Sequence, residues 1–138
     1  MKDPRENFEL ADIFSPIENH PSFFCKKMFG GLSVYYNGFM IGCLTESPDE
    51  YQYRGVQYDH PIWYGLLLPT DYAHHQSLLK DFPLLQQHPV LKKWLYLPMK
   101  DDEANFRKEA RKIILKIVKG DLRFGIEPKA RKKRKKSR

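Results

Sequence analysis

The dipeptide Asn37-Gly38, set between "LSVYY" and "FMIGCL", constrains this chain more than any other feature. A two-residue hairpin loop of type I′ needs positive φ at both central positions, which Asn-Gly supplies at little steric cost. That turn sets a register opposing Tyr36 to Phe39, Val34 to Ile41 and Leu32 to Cys43. The three pairs form one apolar face, while Ser33, Tyr35, Met40 and Gly42 form a mixed one. A slip by one residue would scatter the apolar set over both faces. Upstream, "FFCKKMF" reads as another strand, and Gly30-Gly31 as a bulge or tight bend joining it to the hairpin. The glycine pair does not read as a phosphate loop. No Gly-Lys-Ser/Thr follows it, and a strand rather than a helix N-terminus comes next.

The rest of the chain supplies helices to cover this sheet. Residues 7–14, "NFELADIF", place Phe8, Ala11 and Phe14 on one helical face, limited by Pro16. "IWYGLLL" at 62–68 and "KWLYL" at 93–97 read as strands, each followed by a proline. Between them Thr70 and Asp71 open a helix carrying Tyr72, Leu78, Leu79 and Phe82, and "LLQQHPVL" reads as a bridging turn or helical fragment. Phe106, Ala110, Ile113, Ile114 and Ile117 mark the apolar face of a last helix. Asp101, Asp102 and Glu103 stand at its positive end and Lys116 and Lys119 at its negative end, with Gly120 as the stop. "DLRFGI" after it reads as a short strand or docking segment. Together these predict one small α+β domain over 1–126, an antiparallel sheet with flanking helices on one side. A chain of 138 residues can bury such a core without metals or disulfides.

Charge divides the chain more sharply than structure does. The last twelve residues, "EPKARKKRKKSR", hold eight Lys/Arg and one Glu, the whole of the net +7. Residues 1–126 carry 16 basic and 16 acidic side chains, so the body is neutral unless it segregates its charges in space. Lys129, Arg131, Lys132, Lys133, Arg134, Lys135, Lys136 and Arg138 therefore form the candidate contact to DNA or RNA, as a disordered tail over 127–138. Each phosphate so neutralised releases a counterion, which makes the contact salt-dependent. The tail holds no apolar wedge, so membrane insertion is not expected. "MKDPRENFEL" lacks the apolar core of a secretory signal. The expected location is thus cytoplasmic, or nuclear in a eukaryotic host.

Candidate catalytic and metal sites are weak. His20, His60 and His88 each precede proline, and His74 and His75 are neighbours pointing about 100° apart on a helix of 3.6 residues per turn. No metal spacing arises from them, and Ser33, Ser47 and Ser77 sit in no nucleophile elbow. Cys25 and Cys43 lie in apolar segments and read as buried, structural thiols. Tyr51, Tyr53 and Tyr58, with Arg54, Trp63 and Tyr64 close by, form an aromatic cluster. It suits packing or self-association, and alternatively stacking on bases. A small-molecule enzyme would require a deep pocket joining Tyr58, Asp59 and His60. No cofactor is implied.

The assembled stretch "KKMFGGLSVYYNGFMIGCL" resembles the N-terminal domain of the TfoX/Sxy proteins, bacterial regulators associated with natural competence. Lys27, Met28, Phe29, Gly30, Gly31 and Gly38 match that domain's basic residue, Met-Phe-Gly-Gly and turn glycine. The match covers about 27–45. Lys26-Lys27 stand where the family usually shows arginine, and 45–92 is longer and richer in proline and tyrosine. The resemblance implies a small α+β domain without a cofactor, a non-enzymatic regulatory or interaction module with a protein partner or a homodimer contact. The alternative is a dedicated nucleic-acid-binding protein using the tyrosines and the tail.

Overall fold

A computed structural model describes residues 4–28, 30–100 and 102–127. Its centre is one antiparallel sheet. The strands are β1 (Phe24–Met28), β2 (Gly31–Tyr36), β3 (Phe39–Glu46), β6 (Tyr64–Leu68), β7 (Gln86–Gln87) and β8 (Leu95–Pro98), in the order β1-β2-β3-β6-β8-β7. A small separate hairpin, β4 (Gln52–Tyr53) with β5 (Val56–Gln57), interrupts the β3–β6 connection. Two helices, α1 (Tyr72–Asp81) and α2 (Glu103–Val118), complete the α+β fold.

The expected hairpin forms, with Asn37 at φ 53° and Gly38 at φ 83°. Its register follows the sequence-based expectation only beside the turn. Tyr36 faces Phe39 and Tyr35 faces Met40, after which the pairs become Val34–Gly42, Ser33–Cys43 and Leu32–Leu44. Ile41 is the extra residue of a β-bulge, so the expected Val34–Ile41 and Leu32–Cys43 pairs do not form. The bulge shifts the alternation by one. Ile41 and Leu44 then both reach the core, at 3% and 0% exposure, whereas unbroken pairing would have buried Cys43 and exposed Leu44.

Upstream of β2, Met28 pairs with Gly31, and Gly30 before it turns the chain at φ +79°. Gly31 is there for space. A Cβ on it would lie 3.0 Å from both the Cys43 Sγ and the Leu44 carbonyl oxygen. Met28 is only half-buried, and Phe29 lies outside the described residues. Both cysteines are likewise half-buried rather than buried, and neither is in a disulfide. Burial raises the pKa of the Cys43 thiol.

The helix expected over 7–14 does not form. Two 3-10 helical turns, Pro4–Asn7 and Ala11–Phe14, stand there instead. Distant groups hold this segment. The Glu46 carboxylate accepts from the Glu9 and Leu10 amides at 3.1 and 2.8 Å. Arg107 and Arg111 of α2 grip Asp12 at 3.0 and 2.9 Å, and Arg107 also donates to the Glu9 carbonyl. Leu10, Ile13, Phe14 and Ile17, spaced as one face of a helix would space them, are buried together, but these contacts hold the backbone in shorter 3-10 turns.

The principal core lies between this segment, the helices and one face of the sheet. Leu32, Val34, Leu44, Leu66, Leu68, Leu95 and Leu97 meet Ile13, Phe14, Leu78, Phe106, Ala110 and Ile113 there. Each such side chain, fully buried, contributes roughly 1.5–3 kcal/mol. Helix starts follow local chemistry: the Asp71 carboxylate accepts from the Ala73 amide and the Asp102 carboxylate from the Asn105 amide. Asp101 lies outside the described residues. "LLQQHPVL" is corrected from a turn or helical fragment to an edge strand, because Gln86 and Gln87 pair with Tyr96 and Leu95. "DLRFGI" docks on the body: Phe124 enters the core, the Gly125 amide donates to the Pro69 carbonyl at 2.9 Å, the Thr70 hydroxyl donates to the Arg123 carbonyl at 2.6 Å, and Ile126 bridges to Met40.

Candidate functional site

Successive strand residues point to opposite faces, so burying Leu66, Leu95 and Leu97 in the core sends Leu67 and Tyr96 to the other side. That side is covered too, by loops rather than helices. The loops before β6 and β8 bring His60, Ile62 and His88 over it, and all three are closed to solvent with Leu67 and Tyr96. The histidines settle this layer. His88 Nε2 donates to the Ile62 carbonyl at 2.9 Å, and its Nδ1 accepts from the Val90 and Leu91 amides at 3.1 Å each. Its ring packs 4.5 Å from Trp63 and 4.7 Å from Tyr96. Burial lowers the His88 pKa to about 4, so the ring stays neutral and keeps both sets of bonds.

His60 sits between Asp59 and Tyr96. With its Nδ1–H donated to the Asp59 carboxylate at 2.7 Å, Nε2 accepts from the Tyr96 hydroxyl. Lys100 stands 3.6 Å from the same carboxylate. The Asp59 carboxyl is held below its usual range, first by the His60 hydrogen bond and then by Lys100. Burial pushes the Tyr96 hydroxyl well above the ordinary tyrosine value. A carboxylate orienting an imidazole against a hydroxyl is an arrangement able to move protons. Here the imidazole and the phenol are 3% and 0% exposed, which leaves no place for a substrate at the hydroxyl. The chemistry of this cluster is a brace holding the 47–63 loop to the sheet. Sequence reading grouped His60 with Tyr58 and Asp59 as the pocket an enzyme would need, noted His88 only as a residue preceding proline, and missed Tyr96. The available signal was a tyrosine in an otherwise apolar strand, which needs a partner for its hydroxyl when buried.

Two clefts lie apart from this cluster. One, of about 340 Å³, is walled by Leu84, Gln86, Leu97, Lys100, Asn105 and Phe106, where α2 begins. The other, of about 270 Å³, lies against the Gly-Gly bend and is walled by Asn7, Phe8, Lys27, Met28, Gly30 and Gly31. Among the described residues no group of three or more His, Cys, Asp or Glu could hold a metal ion, and no helix is long and apolar enough to cross a membrane.

The aromatic cluster separates in space. Tyr51, at 42% exposure, flanks the small β4–β5 hairpin, whose turn residues Arg54 and Gly55 have φ 51° and 81°. Arg54 lies over the Tyr53 ring at 5.5 Å. The Tyr58 amide donates to the Tyr51 carbonyl at 2.8 Å while its ring lies 6.0 Å from His60, and Trp63 joins His88. Tyr64 packs against the principal core. Tyr51 and Arg54 are exposed, and Tyr53 is half-buried beneath the Arg54 guanidinium. The tail residues Lys129, Arg131, Lys132, Lys133, Arg134, Lys135, Lys136 and Arg138 lie outside the described residues.

No protein-family model, curated protein or solved structure matches the chain.

Proposed function

We propose that this chain is a non-enzymatic regulatory or interaction module of the TfoX N-terminal-like type, whose segment 127–138 contacts nucleic acid in a salt-dependent manner. The observation that carries the reading is how the body uses its charges. Asp12, Asp59, Asp71, Asp81, Glu103, Glu109 and Asp121 are each within 4 Å of a basic side chain of the body. Eight tail cations share their own segment with one acid, Glu127. Such a segment is attracted to a polyanion by counterion release.

The test is fluorescence anisotropy of a labelled DNA duplex titrated with the full chain at several salt concentrations. Replacing all eight tail Lys/Arg by Gln is expected to flatten the log–log salt slope by up to about 7, at roughly 0.9 per lost phosphate contact. Undiminished affinity and slope would overturn the reading.

A second reading, single-strand binding through stacking, draws on the outward Tyr51 and the Tyr53–Arg54 pair. Under it, Tyr51→Ala with Tyr53→Ala weakens single-strand binding by about 1–3 kcal/mol per stacked base, with the salt slope unchanged.

A further inference from the structure

A neutral body can still hold an unbalanced face, and α2 holds one. Lys108, Lys112, Lys116 and Lys119 are all exposed, and their spacing of four, four and three residues sets them in a row along one side of the helix. At ~1.5 Å per residue the row runs about 16 Å.

The acids nearby offset it only in part: Glu109 pairs with Lys112 at 3.4 Å, and Asp121, held by Arg123 at 2.7 Å, is also drawn to the Lys116 charge. Asp12 and Glu103 are taken by Arg107 and Arg111. Lys108, Lys116 and Lys119 make no ion pair among the described residues. The helix dipole accounts for cations in the last turn, Lys116 and Lys119, because its effect fades within that turn. It does not account for Lys108 and Lys112, which stand farther back.

The row also lies close to the tail. Gly120 ends the helix, and Ile126 is bridged to Met40 six residues later. Eight residues separate Lys119 from Glu127 and reach at most ~29 Å, so segment 127–138 departs within that distance of the end of the row.

From this juxtaposition the geometry points to the lysine row of α2 as a second phosphate-contacting surface, which seats the backbone of a nucleic-acid duplex while the tail holds the same molecule. The inference rests on the proposed nucleic-acid reading and adds to it a contact made by the folded body. A duplex is the occupant because a row of cations set along a straight helix fits a straight, stiff polyanion. Single strands are held largely by base stacking, and the row contains no aromatic residue. A lipid surface fits less well. The apolar residues beside the row, Leu115 and Val118, are only 48% and 41% exposed, and Leu122 stands alone beyond the helix.

The experiment uses the full chain, a 30-base-pair DNA duplex and salt from 50 to 300 mM. Its α2 variant carries Lys108→Gln, Lys116→Gln and Lys119→Gln, all at exposed positions, with folding checked by circular dichroism. A control variant carries the same charge change at other exposed lysines, Lys26→Gln, Lys80→Gln and Lys92→Gln.

Losing three phosphate contacts is expected to flatten the log–log slope by about 2.7. Over 50–200 mM that removes about 40-fold of the salt sensitivity. The control should move the slope by less than about 1, and the eight-Gln tail variant should keep a residual, α2-dependent slope. An α2 variant with an unchanged slope, or a control that flattens equally, overturns the inference and leaves the tail reading standing. A tail variant that binds like the unmodified chain overturns the tail reading instead. Loss of binding to anionic phosphatidylserine vesicles, with duplex binding intact, would reassign the row to a lipid surface and overturn the inference.

Discussion

His88 makes the stability of this fold depend on pH between about 6.5 and 4. An unfolded histidine takes up a proton near pH 6.5, and native His88 refuses it until about pH 4. The refusal has a geometric cause. The ring is fully buried, and Nδ1, where the proton would go, already receives two backbone amides at 3.1 Å; the Nε2–H bond to the Ile62 carbonyl at 2.9 Å works in the opposite direction and is outweighed. A proton on Nδ1 would displace both amides and place a charge in an apolar site.

The sign follows from which state binds the proton. Above pH 6.5 neither state is protonated and the stability is complete. Between 6.5 and 4 only the unfolded state gains a proton, so stability falls as pH falls, and below 4 the two states change together. At ~1.36 kcal/mol per pKa unit, the loss across the window amounts to about 3 kcal/mol.

Urea melts of the full chain at pH 7.0, 6.0, 5.0 and 4.5 measure this loss directly. The His88→Gln variant keeps an acceptor and a donor and cannot titrate. It is expected to start lower by about 1–3 kcal/mol, through imperfect hydrogen bonds, and to remain flatter over the window. The depressed carboxylates Asp59, Asp71 and Asp121 add their own acid sensitivity only below their unfolded value of 3.8, outside the window. An NMR titration placing native His88 near pH 6.5, or parallel losses in the two proteins, would refute the reasoning.

The two glycines of the Met-Phe-Gly-Gly stretch should respond differently to alanine. Gly30→Ala meets open space and only the strain of a positive φ, about 1 kcal/mol. Gly31→Ala meets the Leu44 carbonyl and should cost about 2–3 kcal/mol in urea melts, so the opposite order would rule out these two roles. Tyr96→Phe strands the buried His60 Nε2 and is expected to lower stability by about 1–3 kcal/mol while duplex affinity stays the same. A loss of binding at unchanged stability would make that cluster a working site rather than a brace.

The sequence by itself determined whatever depends on near neighbours. Asn37-Gly38 dictated a hairpin because its two residues accept positive φ. Asp71 and Asp102 dictated where helices begin, since each carboxylate needs only an amide two or three residues ahead. The division of charge between body and tail is likewise a property of the string. Tertiary structure decided whatever depends on a distant partner. The segment around Asp12 is held by an arginine 95 residues away, and its local pattern, which suits a helix, yields to that grip. Ile41 bulges because Leu44 must also reach a core built by other elements. Gln86 and Gln87 become a strand only because β8 offers an edge. The lysine row of α2 was equally hidden, since a count of charges cannot say which acids are already held elsewhere. Local backbone preferences act over a few residues and are written in order along the chain. Burial and charge pairing act through space, and only the folded chain brings those partners together.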